Sequence, residues 1–406
     1  MAAINVAEIR DLISRFGNNM INEQAYIETP FVGKKLKRKK IPDKIGVVNI
    51  KAGPLSSVKF IRDYGTLPQG GSKKPRQGRY DPVGIFGRIE IPRIAAKVVT
   101  NTQDGINLVK ENIDACSKGL GLTLGLGAIG ASIGVPAAQV VAGSTTFTVT
   151  DPAPWRVGFG FEVYDPNTST IMEGDDGSEL VVTKVDMPAN GEGNTTITFE
   201  GTGAGNGNAV QWETTYKFYI RGTQDGADSK MTDLEDITAN ASLYGVSNTV
   251  DEWHGNLDDE EGPLSIERLS KNMVTYRRRR GEKPSFILCN SRNVQRYDDQ
   301  LINNRRFASG KMDAQGDIPS EYQGVKFFVD EVVKDADAYF VNEKDIALHV
   351  FSDFEVEMDG GGSKEMGRGS MLVSDERLIY DTQVLGIFNL RCERRNGLTR
   401  ITNITD

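Results

Sequence analysis

Side chains suited to chemistry at neutral pH are scarce in this chain. Among 406 residues there are two histidines, His254 and His349, and three cysteines, Cys116, Cys289 and Cys392. General-base catalysis and transition-metal ligation draw most often on histidine, so this scarcity points away from both, while carboxylate chemistry stays open. The cysteines are far apart and form no Cys-x-x-Cys pair, which fits reduced thiols packed as small hydrophobes better than a disulfide framework. His254, within DEWHGN, reads as a packed or surface side chain, and no Ser, Thr or Cys carries a nucleophile signature.

Phosphate and metal motifs fail on context. Gly125-Leu-Gly127-Ala-Ile-Gly130 matches GxGxxG, and Asp151 follows about 20 residues on, as a dinucleotide fingerprint asks. These glycines follow a helical pattern and run into Gly134-Val-Pro136, whereas pyrophosphate binding needs them to leave a strand and open a helix. A dinucleotide enzyme is therefore disfavoured. Gly362-Ser-Lys-Glu-Met-Gly367 is not a P-loop. The acidic groups Glu173, Asp175, Asp176, Glu179 and Asp258, Asp259, Glu260, Glu261 offer oxygen ligands for calcium but lack EF-hand spacing, and read as solvated turns. The sequence predicts no catalytic residue, metal or cofactor, and no enzyme.

Charge is more informative. Lys and Arg number 48 against 56 Asp and Glu, a net −8, which excludes a generally basic DNA-coating protein. Hydrophobic residues make up 38% and charged residues 26%, as in a globular chain, and the length suggests two or three domains. Positive charge is concentrated in Lys34, Lys35, Lys37, Arg38, Lys39 and Lys40, in Lys73, Lys74, Arg76 and Arg79, and in Arg277 to Arg280. Negative charge is concentrated in 251–261. The basic run can be a solvated arm, a nucleic-acid contact, or a dock for acidic patches of a neighbouring copy. Docking is preferred, with Asp258, Asp259, Glu260 and Glu261 as its counterpart, because complementary patches give register and specificity.

The elements that must position these charges divide the chain as follows. Residues 1–50 read as an N-terminal arm, and 51–92 as an extended hairpin with a glycine-rich basic tip. Residues 93–124 hold a long helix on which Ile106, Val109, Ile113, Cys116 and Leu120 share one face, ending at Lys118-Gly119. Residues 125–228 carry short β-branched and aromatic runs separated by turns, an inserted all-β domain. Residues 229–282 carry a second helix with Ile266, Leu269, Met273 and Tyr276 on one face, capped by Ser265. An αβ region follows at 283–355, and 356–406 closes with extended runs turning at Arg395-Asn396-Gly397. Glu8, Arg10 and Asp11 interrupt any signal-peptide core. The uncharged stretch from Gly119 to Thr150 is long enough to span a bilayer, but its glycines and polar residues fit a glycine-rich loop and a strand. No membrane association is expected.

This order of parts resembles the major capsid protein of tailed bacteriophages, the Hong Kong 97-type or Johnson fold. The stretches that carry the resemblance are GTLPQGG, IFGRIEIPRIAAKVVTNTQDGINLVKENIDACSKGL, KPSFILCNSRNVQRYDDQL, YQGVKFFVD and YDTQVLGIFNLRCERRNGLTRITNI. It implies an α+β, Hong Kong 97-like capsid fold: N-arm, extended hairpin (E-loop), spine helix, peripheral and axial αβ domains, here with an inserted all-β domain. It further implies a non-catalytic virion protein, assembled in the host cytoplasm, whose copies form pentamers and hexamers of an icosahedral shell around double-stranded DNA. The implied partners are copies of itself, a separate scaffolding protein, a portal, a decoration protein, and packaged DNA indirectly. Some members cross-link a hairpin lysine to a neighbour's asparagine; Lys73 and Lys74 are the local candidates, without further support in the sequence. A β-rich secreted or surface adhesion module is the alternative.

Overall fold

The computed structural model describes residues 21–41, 45–50, 76–92, 102–141, 144–151, 154–172, 180–188, 194–200, 212–222, 230–239, 241–249, 253–301, 321–357, 372–373 and 379–405. After a helical segment at 21–27, a π-type turn at Phe31–Lys35 leads into strand β1 (Lys37–Lys40). Strands β2 (Gly46–Ile50) and β3 (Arg76–Tyr80) pair antiparallel, Gly46 opposite Tyr80 and Ile50 opposite Arg76. They form the base of the hairpin, whose tip lies outside the described residues. Strand β4 (Val83–Pro92) leaves the hairpin, and helix α1 (Thr102–Ile129) follows.

Helix α1 has 28 residues and does not stop at Lys118-Gly119 as the sequence suggests. Its stripe of Ile113, Leu120 and Leu124 is buried, and the helix runs on through the glycines because they are contact points rather than a loop. A Cβ on Gly121 would lie 2.5 Å from the Ala25 carbonyl oxygen, and one on Gly125 would strike the Thr29 side chain. The helix thus lies directly against the 25–29 backbone, a closeness only glycine allows. The GxGxxG match falls in its last turns, where Gly130 N–H already donates to Leu126 O at 2.8 Å and cannot serve a phosphate. Among the described residues, no helix is long and apolar enough to cross a membrane.

Seven strands follow: β5 (Ser132–Gly134), β6 (Thr146–Val149), β7 (Gly160–Asp165), β8 (Thr170–Met172), β9 (Leu180–Asp186), β10 (Thr195–Glu200) and β11 (Lys217–Ile220). They make one sheet in the order β5-β11-β7-β9-β10-β6, with β8 beside β7. Alternating burial along β7 and β10 turns one face inward, as period-2 patterning requires. That face is aromatic: the Phe147 ring centroid lies 4.7 Å from Phe218, 5.2 Å from Trp155, and 5.6 Å from both Phe161 and Phe199. The Phe147–Trp155 pair is edge-on and the other three are tilted, and such contacts add to the burial of large rings.

The chain then forms helix α2 (Leu234–Ala239), the short pair β12 (Ser242–Leu243) and β13 (Val246–Ser247), strand β14 (Asn256–Asp258) and helix α3 (Ile266–Arg280). Ser265 caps α3 by accepting from Arg268 N–H at 3.1 Å. Leu269, Met273 and Tyr276 are fully buried, as the spacing predicts, but Ile266 in the first turn is 39% exposed and falls outside the stripe. Strand β15 (Phe286–Cys289), helix α4 (Ser291–Leu301), and strands β16 (Glu321–Tyr322), β17 (Val325–Val329), β18 (Ala338–Val341), β19 (Ile346–Glu357), β20 (Leu372–Val373), β21 (Ile379–Cys392) and β22 (Leu398–Ile401) complete the chain. A six-stranded mixed sheet has the order β14-β22-β18-β15-β17-β16. Its central strands β15 and β18 are buried at every position, so they read as continuous apolar runs.

The frame that joins these units is a long ribbon. β19 and β21, of 12 and 14 residues, pair antiparallel, and β4 pairs along β21 from Val83 opposite Phe388 to Pro92 opposite Ile379. β1 adds to the free side of β19 in parallel. The described elements therefore come as hairpin base, spine helix, all-β sheet, αβ sheet and returning strands, an α+β fold in the order that the resemblance implies.

Candidate functional site

The basic run is not a free arm over its described part. Lys37 to Lys40 form β1, in register with Ala347, Leu348, His349 and Val350 of β19, and all four are exposed. Apolar residues just before it explain the placement: Phe31, Val32 and Leu36 are buried, and Phe31 N–H donates to Asp330 Oδ2 at 2.9 Å. Lys35 Nζ sits 5.1 Å from the Phe286 ring centre and 5.0 Å from that of Phe328, and pairs with Glu343 at 3.3 Å. The Arg38 guanidinium lies 4.3 Å over the Tyr26 ring. Lys34, Lys37, Lys39 and Lys40 form no ion pair with a described residue. At the hairpin, Arg76 and Arg79 are exposed on β3, while Lys73 and Lys74 lie outside the described residues.

The acidic counterpart is largely engaged within the chain. Asp258 is only 8% exposed; Arg268 Nε donates to its Oδ2 at 3.3 Å, Asn272 Nδ2 donates to the same oxygen, and Glu260 N–H donates to Oδ1 at 3.2 Å. Burial alone would raise its carboxyl, but the bonds from Asn272 and Arg268 outweigh burial and hold it below the usual range. Glu260 pairs with Lys271. Asp259 and Glu261 remain exposed. Asp258 cannot serve a neighbour, because its contacts hold β14 against α3. The basic end of α3 is likewise engaged: Arg280 clasps Asp345 through Nε at 2.6 Å and Nη2 at 3.0 Å, and Arg277 donates to Gln323 Oε1 at 2.9 Å. The Glu173 to Glu179 group and the Gly362 to Gly367 stretch lie outside the described residues, and no cluster able to hold a metal occurs among the described ones. His254 is exposed.

Two arrangements escaped sequence reasoning. At the hairpin base, Tyr80 of β3 bonds through its hydroxyl to His349 Nδ1, and Arg391 faces Nε2 at 3.4 Å. Burial, with Arg391 and Lys39 nearby, pushes His349 down to about 4, so it is neutral at physiological pH and a hydrogen-bond acceptor rather than a base. The second is an ionic junction. Glu235 of α2 binds Lys334 at 2.6 Å and Arg400 at 2.9 Å, and Arg400 also binds Asp337 at 2.9 Å. Beside it, Lys230 reaches Asp233 at 2.9 Å and Asp236 at 3.0 Å, and Asp233 Oδ2 accepts from Ala131 N–H at 3.3 Å. Burial and Asp236 push Asp233 up to about 7 against the pull of Lys230. The junction ties the end of the spine helix and the exit of the all-β sheet to the αβ sheet. Its members come from four distant stretches, so no local pattern announces them.

A groove of about 1460 Å³ runs between β4, α1 and the edge of the all-β sheet, lined by Phe86, Gly87, Cys116, Leu122, Val157 and Val329 among others. Phe86 and Val157 are 68% and 66% exposed. Large apolar side chains clustered at a rim mark contact surfaces more often than random exposure.

No protein-family model matches the chain, and no curated protein matches its sequence. Among solved structures, it is similar to the capsid asymmetric unit of cyanophage A-1(L), at 11% identity and a TM-score of 0.48, covering 93% of each chain. It is also similar to a chain from Mycobacterium phage Adephagia, at 11% identity and a TM-score of 0.44, covering 100% of each chain. A third is the SrpI encapsulin complex from Synechococcus elongatus, at 9% identity and a TM-score of 0.42, covering 100% of this chain and 96% of the other. These likenesses, near one identity in ten and below a TM-score of 0.5, carry no argument for function, which rests on the chain's own parts.

Proposed function

We propose that this chain is the shell-forming subunit of a tailed-phage capsid with the Hong Kong 97-type fold. The observation that carries the proposal is the joint arrangement of a hairpin base at β2 and β3, a 28-residue spine helix against β4, and a long β19/β21 ribbon linking both to an αβ sheet. In this reading, copies meet head to tail, hexamers and pentamers close into an icosahedral shell, and packaged double-stranded DNA fills it. The Phe86 to Val157 groove supplies an apolar surface for a neighbouring copy, and the hairpin supplies reach. A separate scaffolding protein and a portal belong to the same proposal, a decoration protein to its outer face. The chain acts as structure and not as catalyst.

Sedimentation velocity tests the contacts. The intact chain should sediment as large closed particles. A variant whose residues 51–75 are replaced by a short Gly-Ser turn should stay as small oligomers with an unchanged melting profile. An intact chain that stays monomeric at all concentrations, and binds glycans, would favour an adhesion module.

A further inference from the structure

The shell reading leaves the charge on β1 without a role. Lys34, Lys37, Lys39 and Lys40 are exposed and pair with no described carboxylate, and Arg38 is exposed while resting on Tyr26. Among the described strands β1 is the edge of its sheet, and the β19 residues opposite it are Ala347, Leu348, His349 and Val350, none of them acidic. His349 is uncharged at neutral pH. The segment best placed to neutralise this edge from another copy is largely engaged, since Asp258 holds Arg268 and Glu260 holds Lys271. Edge lysines also discourage unwanted strand pairing, a role that is compatible with a second one in binding.

We propose that β1 is a sequence-independent contact for the phosphodiester backbone of double-stranded DNA, so that DNA touches this subunit directly. At about 3.3 Å per residue, Lys37 and Lys39 lie roughly 6.6 Å apart on one side of the strand, with Arg38 and Lys40 on the other. A duplex lying along the open edge of β1 offers a phosphate charge every ~3.4 Å along each strand, and the long side chains on both sides of the strand, with Lys34 before it, reach past that edge to it, five cations in all. The chain's net −8 does not prevent this, because charges more than about 10 Å away are largely screened at 0.1 M salt. Only the source of the duplex rests on the shell reading; the contact itself does not.

The test is fluorescence anisotropy of a labelled random duplex of about 30 base pairs with the unassembled full-length chain. Five cations give a slope of log affinity against log salt of about −4.5, an affinity loss of about 500-fold between ~50 and ~200 mM salt. The variant K37Q/K39Q/K40Q keeps two cations, and its slope should fall to about −2, a loss of about tenfold over that range. The variant R76Q/R79Q should behave as the parent. No binding by the parent at ~50 mM salt, or a triple variant with the parent's slope, overturns the proposal. So does a triple variant that binds duplex normally but fails to assemble, which would return β1 to docking between copies. If the triple variant does not fold, the parent decides: a slope shallower than about −2 overturns the contact. Normal duplex binding by a chain that never forms particles would sink the shell reading and leave this one standing.

Discussion

Burial keeps His349 neutral, and that has a measurable consequence. Its ring titrates at about 4 in the fold, against about 6.5 in an unfolded chain, so between those values the unfolded state holds more protons. Its contribution is complete above pH 6.5 and is lost as pH falls from 6.5 towards 4, by at most ~1.4 kcal/mol per pH unit. Urea midpoints measured across that window should fall less steeply for His349→Gln; an unchanged slope would contradict the account. Asp258→Ala should cost about 3 to 5 kcal/mol in urea unfolding, because it leaves Arg268 buried without its carboxylate, whereas Asp259→Asn should cost less than about 0.5. Equal small costs would mean Asp258 faces solvent. The sequence showed both residues but not these roles. Asp258 looked like its neighbours in a run of acids, and what separates it is Arg268, ten positions on, turned towards it by α3. His349 gains its partner from Tyr80, across the hairpin base.

At the scale of elements, local pattern did well where one face decides burial. Leu269, Met273 and Tyr276 on α3, its Ser265 cap and the strand at Phe286–Cys289 follow directly from spacing. Spacing failed at the end of α1, where glycines read as a loop are sites of helix contact. Their two roles separate by sign. Gly119 has nothing within 4 Å of a built Cβ, so Gly119→Ala should stabilise by up to ~1 kcal/mol through helix propensity. Gly125→Ala should instead destabilise by about 1 to 3 kcal/mol, because the added methyl meets Thr29. Thermal unfolding of both variants checks this, and two changes of the same sign would contradict the packing. The basic run was legible as charge but not as strand, since β1 is held by Phe31, Val32 and Leu36 before it and by β19 beside it.

For the whole molecule, the order of parts was the most legible feature, and the charge partition changed meaning. Of the groups that make up the net −8, the acidic linker and Arg277 to Arg280 mostly serve the chain's own packing, while Lys37, Lys39 and Lys40 of β1 are exposed and pair with no described carboxylate. The ionic junction at Glu235, Lys334 and Arg400 explains how an all-β sheet can sit within this frame, a tie that no sequence pattern could show. The central claim is closure into a shell, and electron microscopy of the purified full-length chain, alone and co-expressed with a scaffolding partner, tests it most directly. The account predicts closed particles of uniform size whose averaged images show icosahedral symmetry with five-fold and six-fold clusters of subunits. Monomers or open, irregular aggregates under every assembly condition would contradict it.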